Sequence, residues 1–248
     1  MRLYIIRHAQ SENNARWAST GSSSGRDSDP VLTETGQQQA QCLAELLARV
    51  DPEAQTDPWD MADQRGFAVT HLYTSLMQRA IMTGTAVARA LELPLVAWPD
   101  LHEAGGIYED GPEDGQRIGL PGPDRDFFET HYPHLVLPDS LTDKGWWHRP
   151  YESRVEVRQR AGRVAEELFQ RHGGTDDRVA LVTHGAFTNY LLSHLLDRLP
   201  PPDERPNAHY PWLMMSNTGI TCFNYGDGYA TLYYTNRLDH LPRGLITI

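Results

Sequence analysis

Two short apolar runs that each end on a histidine constrain the fold of this chain more than any other feature. Residues 3–6 (LYII) are followed by Arg7 and His8, and residues 179–183 (VALVT) are followed by His184. Apolar runs of this length are typical of strands buried on both faces. Such strands occur in parallel sheets that helices cover on both sides, so each histidine is predicted to lie at the carboxyl end of a buried strand.

Helical periodicity fills the stretches between the strands. One helix is predicted after Thr33, a suitable N-cap, with an apolar face made by Ala40, Leu43, Leu46, Leu47 and Val50. Further helices are predicted over 77–91, 155–171 and 186–196, further strands over 67–73 and 95–98, and a hairpin over 220–225 and 229–234. This alternation predicts a three-layer α/β/α sandwich with a mostly parallel sheet and a site at the C-terminal ends of its strands.

Four segments interrupt this pattern. Residues 19–25 are rich in Ser and Gly and predict a flexible loop. Residues 51–65 hold two prolines and four aspartates, which predicts a surface insertion. Residues 105–150 and about 197–215 lack a clear period, and loops of that length commonly act as lids or binding loops. We therefore interpret residues 1–248 as a single domain with one insertion and two lid segments.

The charge balance limits the partners of the chain. Its 22 Lys and Arg residues against 33 Asp and Glu residues give a net charge of −11. Such a balance disfavours nucleic acid and anionic membranes as partners, although a local cationic pocket remains compatible with it. Cys42 and Cys222 stand alone, and residues 1–6 hold too few apolar side chains for a signal peptide. We expect a cytoplasmic protein.

The two strand-end histidines gain their significance from the residues that accompany them. Carboxyl ends of parallel strands meet at one sheet edge, so His8 and His184 are expected to lie close together. A lone histidine at such a place is more often structural than catalytic. Here, however, the two histidines belong to a set of five segments that follow one another along the chain. These are Arg7 to Asn14 (RHAQSENN), Leu32 to Gly36 (LTETG), Ser75 to Ala80 (SLMQRA) with Thr83, Leu101 to Glu103 (LHE), and His184–Gly185.

In this order and spacing the chain resembles the histidine phosphatase superfamily, also called phosphoglycerate mutase-like, from Leu3 to about Leu196. The resemblance implies that His8 is the nucleophile that becomes phosphorylated and that Glu103 is the proton donor. It also implies that Arg7, Arg79 and His184 surround the phosphoryl group. No metal and no cofactor is expected, because preorganised cations can neutralise the phosphoryl oxygens.

The chemistry of these residue types agrees with those roles. Nearby positive charges lower the pKa of a histidine, which keeps the attacking nitrogen of His8 unprotonated. We expect its other ring nitrogen to donate to a backbone carbonyl near Ala9. Glu103 must be protonated when it acts as an acid, and like charges at Asp100, Glu109 and Asp110 would raise its pKa if the fold brings them close.

Six further residues are candidates for substrate binding, and each also has a structural interpretation. Their positions beside the catalytic segments or in the first lid segment suggest contact with the substrate: Ser11, Asn14, Gly185, Lys144, Trp146 and Arg149. Ser11 and Asn14 could equally be turn or cap residues, and Trp146 with Trp147 could serve only to pack the lid. Without the motif around it, Arg79 would be interpreted as a surface residue. We interpret Glu152–Ser153 as structural, at the start of a helix.

Departures from the family pattern favour some of the functions found in the family over others. Ala9 stands where the family has Gly, and Gln10 where the phosphoglycerate mutases have Glu. The segment after His184, Gly185 to Asn189 (GAFTN), is closer to the phosphatase branches. We expect a metal-independent phosphomonoesterase that acts on a small phosphorylated metabolite. A bisphosphoglycerate-dependent mutase and a non-catalytic phospholigand-binding protein on the same fold are the alternatives.

Overall fold

The two apolar runs that end on histidine form neighbouring strands in the middle of a seven-stranded sheet. The structure, a computed structural model, describes residues 1–50, 60–113, 115–196, 212–226 and 228–248. Its strands are β1 (Arg2–Arg7), β2 (His71–Thr74), β3 (Leu95–Ala97), β4 (Tyr108–Asp110), β5 (Arg117–Gly119), β6 (Leu135–Val136), β7 (Arg178–Thr183), β8 (Ile220–Gly226) and β9 (Tyr229–Arg237). Its α-helices are α1 (Glu12–Thr20), α2 (Glu34–Leu47), α3 (Gln78–Leu91), α4 (Arg125–His131), α5 (Arg154–His172) and α6 (Gly185–Leu195).

The sheet is mostly parallel, as the sequence predicts. Its strand order is β6-β3-β2-β7-β1-β8-β9, and the first five strands in this order run parallel. β8 and β9 add the predicted hairpin, antiparallel, at the β1 edge. β4 and β5 form a separate two-stranded ribbon. Arg7 lies opposite Thr183 in the β1–β7 register. His8 and His184, the residues that follow these two strands, are therefore adjacent at the same end of the sheet.

Both faces of the sheet are buried under helices. Along β1, Tyr4 and Ile6 point into a core with α2 and α3, whereas Leu3 and Ile5 point into a core with α5 and α6. All four side chains are fully buried. This alternation explains why the strand reads as continuously apolar and confirms the three-layer arrangement.

Several predicted boundaries were wrong. The second strand begins at His71, not at residue 67, because Ala68 has a φ of 44° and interrupts extended backbone there. Val50 does not belong to the buried face of α2, since that helix ends at Leu47 and Val50 is 72% exposed. Thr33 caps α2 as predicted by accepting from the Gly36 N–H.

The segments predicted as irregular also hold regular structure. α1 extends into the predicted loop over residues 19–25, and none of its residues is buried, so apolar periodicity could not reveal it. Residues 105–150 contain the β4–β5 ribbon, α4 and β6, and β6 pairs with β3 as the edge of the main sheet. β6 has two residues, too few to produce a strand pattern.

The predicted insertion and the second lid segment lie largely outside the described residues. Of the former, residues 51–59 are not described, and of the latter, residues 197–211 are not. The end of the insertion is anchored, because Asp63 is buried and forms an ion pair of 2.6 Å with Arg2. Tyr4 and Tyr234 also donate to its carboxylate. None of the described helices has the length and apolar character that crossing a membrane would require.

Candidate active site

The loops after β1 and β7 bring His8 and His184 together. Their ring centroids are 5.1 Å apart, and both rings are buried. The His8 backbone N–H donates to the Thr183 carbonyl at 2.8 Å, which extends the β1–β7 ladder by one residue. The paired strands therefore set the distance between the histidines.

His8 is held in one neutral tautomer. Its Nδ1 lies 2.7 Å from the Ala9 carbonyl oxygen, as predicted, and Arg79 Nε donates to its Nε2 at 3.2 Å. Because an arginine nitrogen can only donate, His8 Nε2 must hold a lone pair and Nδ1 must hold the hydrogen. Burial, followed by the charges of Arg79 and Arg7, lowers the pKa of His8 well below its usual value. The site thus contains an unprotonated ring nitrogen beside a cation.

Hydrogen bonds also orient His184. Ser75 Oγ accepts from the Met77 N–H at 3.3 Å and lies 2.8 Å from His184 Nε2. The Ser75 hydroxyl can donate to Nε2, and in that arrangement the ring hydrogen of His184 is on Nδ1. Among the described residues this buried Nδ1 has no partner. It is a preorganised donor without an acceptor.

The two arginines add positive charge to the same place. Arg7 ends β1, and one of its terminal nitrogens donates to the Met215 carbonyl, whereas its buried Nε has no partner among the described residues. Arg79, in the first turn of α3, is 7% exposed. Burial lowers the pKa of both side chains. The charge of Glu103 opposes this effect on Arg7, and the charges of Asp29 and Glu103 oppose it on Arg79. Both remain cations, since guanidinium keeps its proton in proteins.

Asp29 is a site residue that sequence reasoning missed. One of its carboxylate oxygens, Oδ1, lies 3.7 Å from Arg79 and accepts from the Gln78 N–H at 3.1 Å, whereas Oδ2 is buried without a partner among the described residues. Burial raises the pKa of Asp29 to about 6, although Arg79 opposes the shift. In the sequence, Asp29 could have been noticed as an acidic residue directly before Pro30 and ahead of the Thr33 N-cap.

Glu103 follows the 3-10 turn Pro99–Leu101 and reaches the N-terminus of α6. Its Oε1 accepts from the Ala104 and Phe187 N–H groups, both at 2.8 Å, and its Oε2 accepts from the Ala186 N–H at 3.2 Å. The acidic neighbours suggested by the sequence do not surround it. Asp100 lies 3.8 Å from Arg163, and Glu109 and Asp110 are exposed on β4.

A buried ion pair fixes the loop that carries Glu103. Arg160 on α5 is fully buried and binds Glu152 through two hydrogen bonds of 2.7 Å. Its remaining terminal nitrogen donates to the Asp100 and His102 carbonyls at 2.7 and 2.9 Å. Sequence reasoning treated Glu152 only as structural and missed Arg160. In the sequence, Arg160 could have been noticed as a charged residue within the apolar face of a helix, next to Ala161 and Val164.

Asn217 is a third missed residue. It is fully buried, and its Nδ2 donates to the His8 carbonyl at 3.1 Å and to Asn14 Oδ1 at 3.2 Å. Ser11 and Asn14 form a capping box at the start of α1. Their cap role is therefore present in the structure, and Asn14 also supports the His8 backbone through Asn217.

The lid candidates lie at different distances from this centre. Trp147 packs edge-on against His102 with centroids 4.6 Å apart, and Trp146 lies 5.5 Å from the same ring. Arg149 stacks 4.0 Å above Trp147 and approaches His102 Nε2 at 3.2 Å. Lys144 is exposed, and the described residues offer its side chain no contact with the site. Gly185 is the first residue of α6 and lies beside the Arg7 side chain.

Sequence comparison assigns this arrangement to a family. The chain matches the histidine phosphatase superfamily (branch 1) over residues 3–59 and 60–237. The chain belongs to that superfamily. It is accordingly a phosphatase of the histidine phosphatase type. A search of curated proteins returned no match.

Solved structures share the fold of this histidine phosphatase at low identity. A phosphoserine phosphatase from Entamoeba histolytica, in complex with 3-phosphoglyceric acid, is 19% identical with a TM-score of 0.56 over 97% of this chain and 99% of that one. A mycobacterial glucosyl-3-phosphoglycerate phosphatase with bound VO3 is 20% identical with a TM-score of 0.55 over 95% and 98%. Mycobacterial hydrolase 1 is 21% identical with a TM-score of 0.56 over 95% and 98%.

One group of described residues away from this centre offers metal-ligand atoms. His71, His172 and Asp177 place three such atoms within 4.8 Å of one another, and His71 begins β2, at the opposite edge of the sheet from His8. Both ring nitrogens of His172 already have partners, Tyr73 Oη at 3.0 Å and Asp177 at 2.8 Å. The phosphatase site itself presents cations and N–H donors.

Proposed function

We propose that this protein is a metal-independent phosphomonoesterase that hydrolyses a small phosphorylated metabolite through a phosphohistidine on His8. The supporting observation is the lone pair on His8 Nε2, held beside the guanidinium groups of Arg7 and Arg79. Arg79 is buried and Arg7 is half-buried, and the carboxylates of buried Asp29 and half-buried Glu103 oppose their charges. A phosphoryl group would supply the acceptors that Arg7 Nε and His184 Nδ1 lack among the described residues.

The first chemical step transfers the phosphoryl group to the protein. His8 Nε2 forms a bond to phosphorus while the bond from phosphorus to the ester oxygen breaks. Arg7, Arg79 and the His184 Nδ1–H neutralise the phosphoryl oxygens. The leaving oxygen takes a proton from Glu103, and Oε2 is the oxygen that would hold this proton, because Oε1 already accepts two hydrogen bonds.

The second step returns the nucleophile. Glu103, now ionised, takes a proton from a water molecule as the water oxygen bonds to phosphorus. The bond from phosphorus to His8 Nε2 breaks, and inorganic phosphate leaves. The hydrogen bond from His8 Nδ1 to Ala9 keeps Nε2 facing the phosphoryl group in both steps.

One assay separates the candidate functions. Release of inorganic phosphate from p-nitrophenyl phosphate is measured with and without bisphosphoglycerate, for the wild type, His8→Ala and His131→Ala. His131 is exposed on α4 and serves as the matched control. We expect turnover without bisphosphoglycerate, loss of turnover in His8→Ala and wild-type turnover in His131→Ala.

The outcomes of this assay discriminate clearly. Activity of His8→Ala within tenfold of wild type, a barrier change of only ~1.4 kcal/mol, would refute covalent catalysis at His8. Phosphate transfer that requires bisphosphoglycerate would favour a mutase, and ligand binding without turnover would favour a phospholigand-binding protein. Acid-quenched wild-type enzyme should also carry an acid-labile, base-stable phosphate that His8→Ala lacks.

A further inference from the structure

Three arginines and two tyrosines form a cluster beside the phosphoryl site, which we call the arginine rim: Arg16, Arg26, Arg117, Tyr108 and Tyr151. The Arg26 guanidinium lies 4.0 Å from the Tyr108 ring centroid and donates to the Tyr108 carbonyl at 2.9 Å. Arg117 lies 5.3 and 4.7 Å from the rings of Tyr108 and Tyr151 and donates to the Tyr151 hydroxyl. Arg16 packs beside Gly25, the residue before Arg26. Aromatic contacts thus hold two guanidinium groups in place.

The rim adjoins the residues that would bind the phosphoryl group. Tyr108 directly follows Ile107, which packs with Met77, and Met77 Sδ accepts from Arg79 at 3.1 Å. Burial lowers the pKa of Arg79, and the charge of Arg26 lowers it further, as expected for two nearby cations. A small molecule bound at Arg79 could therefore reach Arg26.

The rim arginines have no acidic partners among the described residues. In the described part of the chain no carboxylate forms an ion pair with Arg16, Arg26 or Arg117, although Asp110 lies opposite Arg117 in the β4–β5 ribbon. In a chain with a net charge of −11, most cations would be expected to find a carboxylate nearby. Unpaired cations gathered on one part of the surface attract an anionic ligand.

We propose that the arginine rim binds a second anionic group of the substrate, with Arg26 as its main contact. The substrate class is then a small phosphomonoester that carries a carboxylate or a second phosphate in addition to the phosphoryl group that is removed. This inference rests on the proposed function and specifies its substrate.

Competitive inhibition of p-nitrophenyl phosphate hydrolysis tests the rim without requiring turnover of the test compounds. Three compounds share a glycerol scaffold: glycerol 3-phosphate has a neutral end, 3-phosphoglycerate a carboxylate, and glycerol 1,3-bisphosphate a second phosphate. We expect one or both of the compounds that carry a second anionic group to bind the wild type at least tenfold more tightly than glycerol 3-phosphate. Which one does so identifies the anionic group. The preference should shrink as ionic strength rises.

Variants then assign the preference to Arg26. Arg26→Ala should reduce the preference for the compounds with a second anionic group to less than threefold. Arg26→Lys should restore part of that preference, because lysine keeps the positive charge but lacks the planar guanidinium that stacks on Tyr108. Arg89→Ala is the matched control, since Arg89 is exposed near the other end of α3, and it should retain the full preference. Thermal unfolding of each variant checks its folding.

The results separate this proposal from the proposed function. Equal inhibition by all three compounds, no inhibition by any, or a full preference in folded Arg26→Ala would overturn the rim proposal while leaving the phosphatase intact. Absence of p-nitrophenyl phosphate hydrolysis in the wild type would overturn the proposed function. In that case direct binding of the three compounds, measured by calorimetry, would still decide the role of Arg26.

Discussion

Acidification from pH 6 to pH 5 should destabilise this protein steeply, because four imidazoles are buried in neutral form. His8, His102, His184 and His240 are between 0 and 8% exposed. Burial is the largest cause that lowers the pKa of each, in the case of His240 to about 4. Since the folded pKa lies below the unfolded value of about 6.5, the unfolded chain binds these protons first. Stability is therefore present above pH 6.5 and is lost as the pH falls.

One buried carboxyl opposes this effect. The pKa of Asp29 is raised by burial to about 6, so near pH 5 the folded chain holds a proton there that the unfolded chain lacks. If all four imidazoles stay neutral in the folded chain down to pH 5, four histidines minus one aspartate leave close to three protons taken up on unfolding between pH 6 and pH 5. Each proton changes the free energy of unfolding by ~1.4 kcal/mol per pH unit, which gives a loss of about 4 kcal/mol.

Urea unfolding at both pH values measures this loss. His240 Nε2 lies 2.9 Å from the Thr218 hydroxyl, and His240→Gln should lower the loss by ~1.4 kcal/mol because one of the four imidazoles is removed. His131→Gln, at an exposed ring, should leave it unchanged. A wild-type loss below about 1 kcal/mol between pH 6 and pH 5 would show that the buried imidazoles are hydrated or charged in the folded state, and the reasoning would fail.

Three further predictions concern the reaction. Glu103→Gln should slow phosphorylation of His8 by alkyl phosphates about 10²–10⁴-fold more than by aryl phosphates, whose leaving groups need no proton, and equal loss in burst-phase kinetics would refute the acid role. Asp29→Asn should lower kcat about tenfold and remove an inflection near pH 6 from the kcat profile, because the carboxylate 3.7 Å from Arg79 aligns that side chain. An unchanged pH profile would show that Asp29 does not act through Arg79. EDTA should leave the rate unchanged, and an activity lost in EDTA and restored by a divalent ion would contradict the mechanism.

The central strands and the two histidines were predictable because local pattern and sheet geometry agree. A strand buried on both faces must be apolar throughout, and parallel strands expose their carboxyl ends together. The tautomer of His8 was predictable for a similar reason, since the Ala9 carbonyl is adjacent in sequence. These features depend on neighbours along the chain or on one strand pairing.

Elements without a buried face or sufficient length escaped prediction. α1 buries none of its residues and is defined by its Ser11 and Asn14 cap, whose residue types also suit turns. β6 has two residues and acquires its place only through pairing with β3. The start of α1 is therefore set by a local cap, whereas β6 is set by a tertiary contact and not by local propensity.

The position of Glu103 shows why motifs alone do not define the site. Its carboxylate binds the first turn of α6, far away in sequence, and its loop is set by Arg160 through two backbone carbonyls. Arg160 is in turn held by Glu152 on the segment that leads into α5. A buried guanidinium is tolerated only with such partners, so removing Glu152 would leave an uncompensated charge beneath the catalytic loop. The geometry of Glu103 therefore depends on an ion pair that does not contact His8, and that pairing exists only in the folded chain.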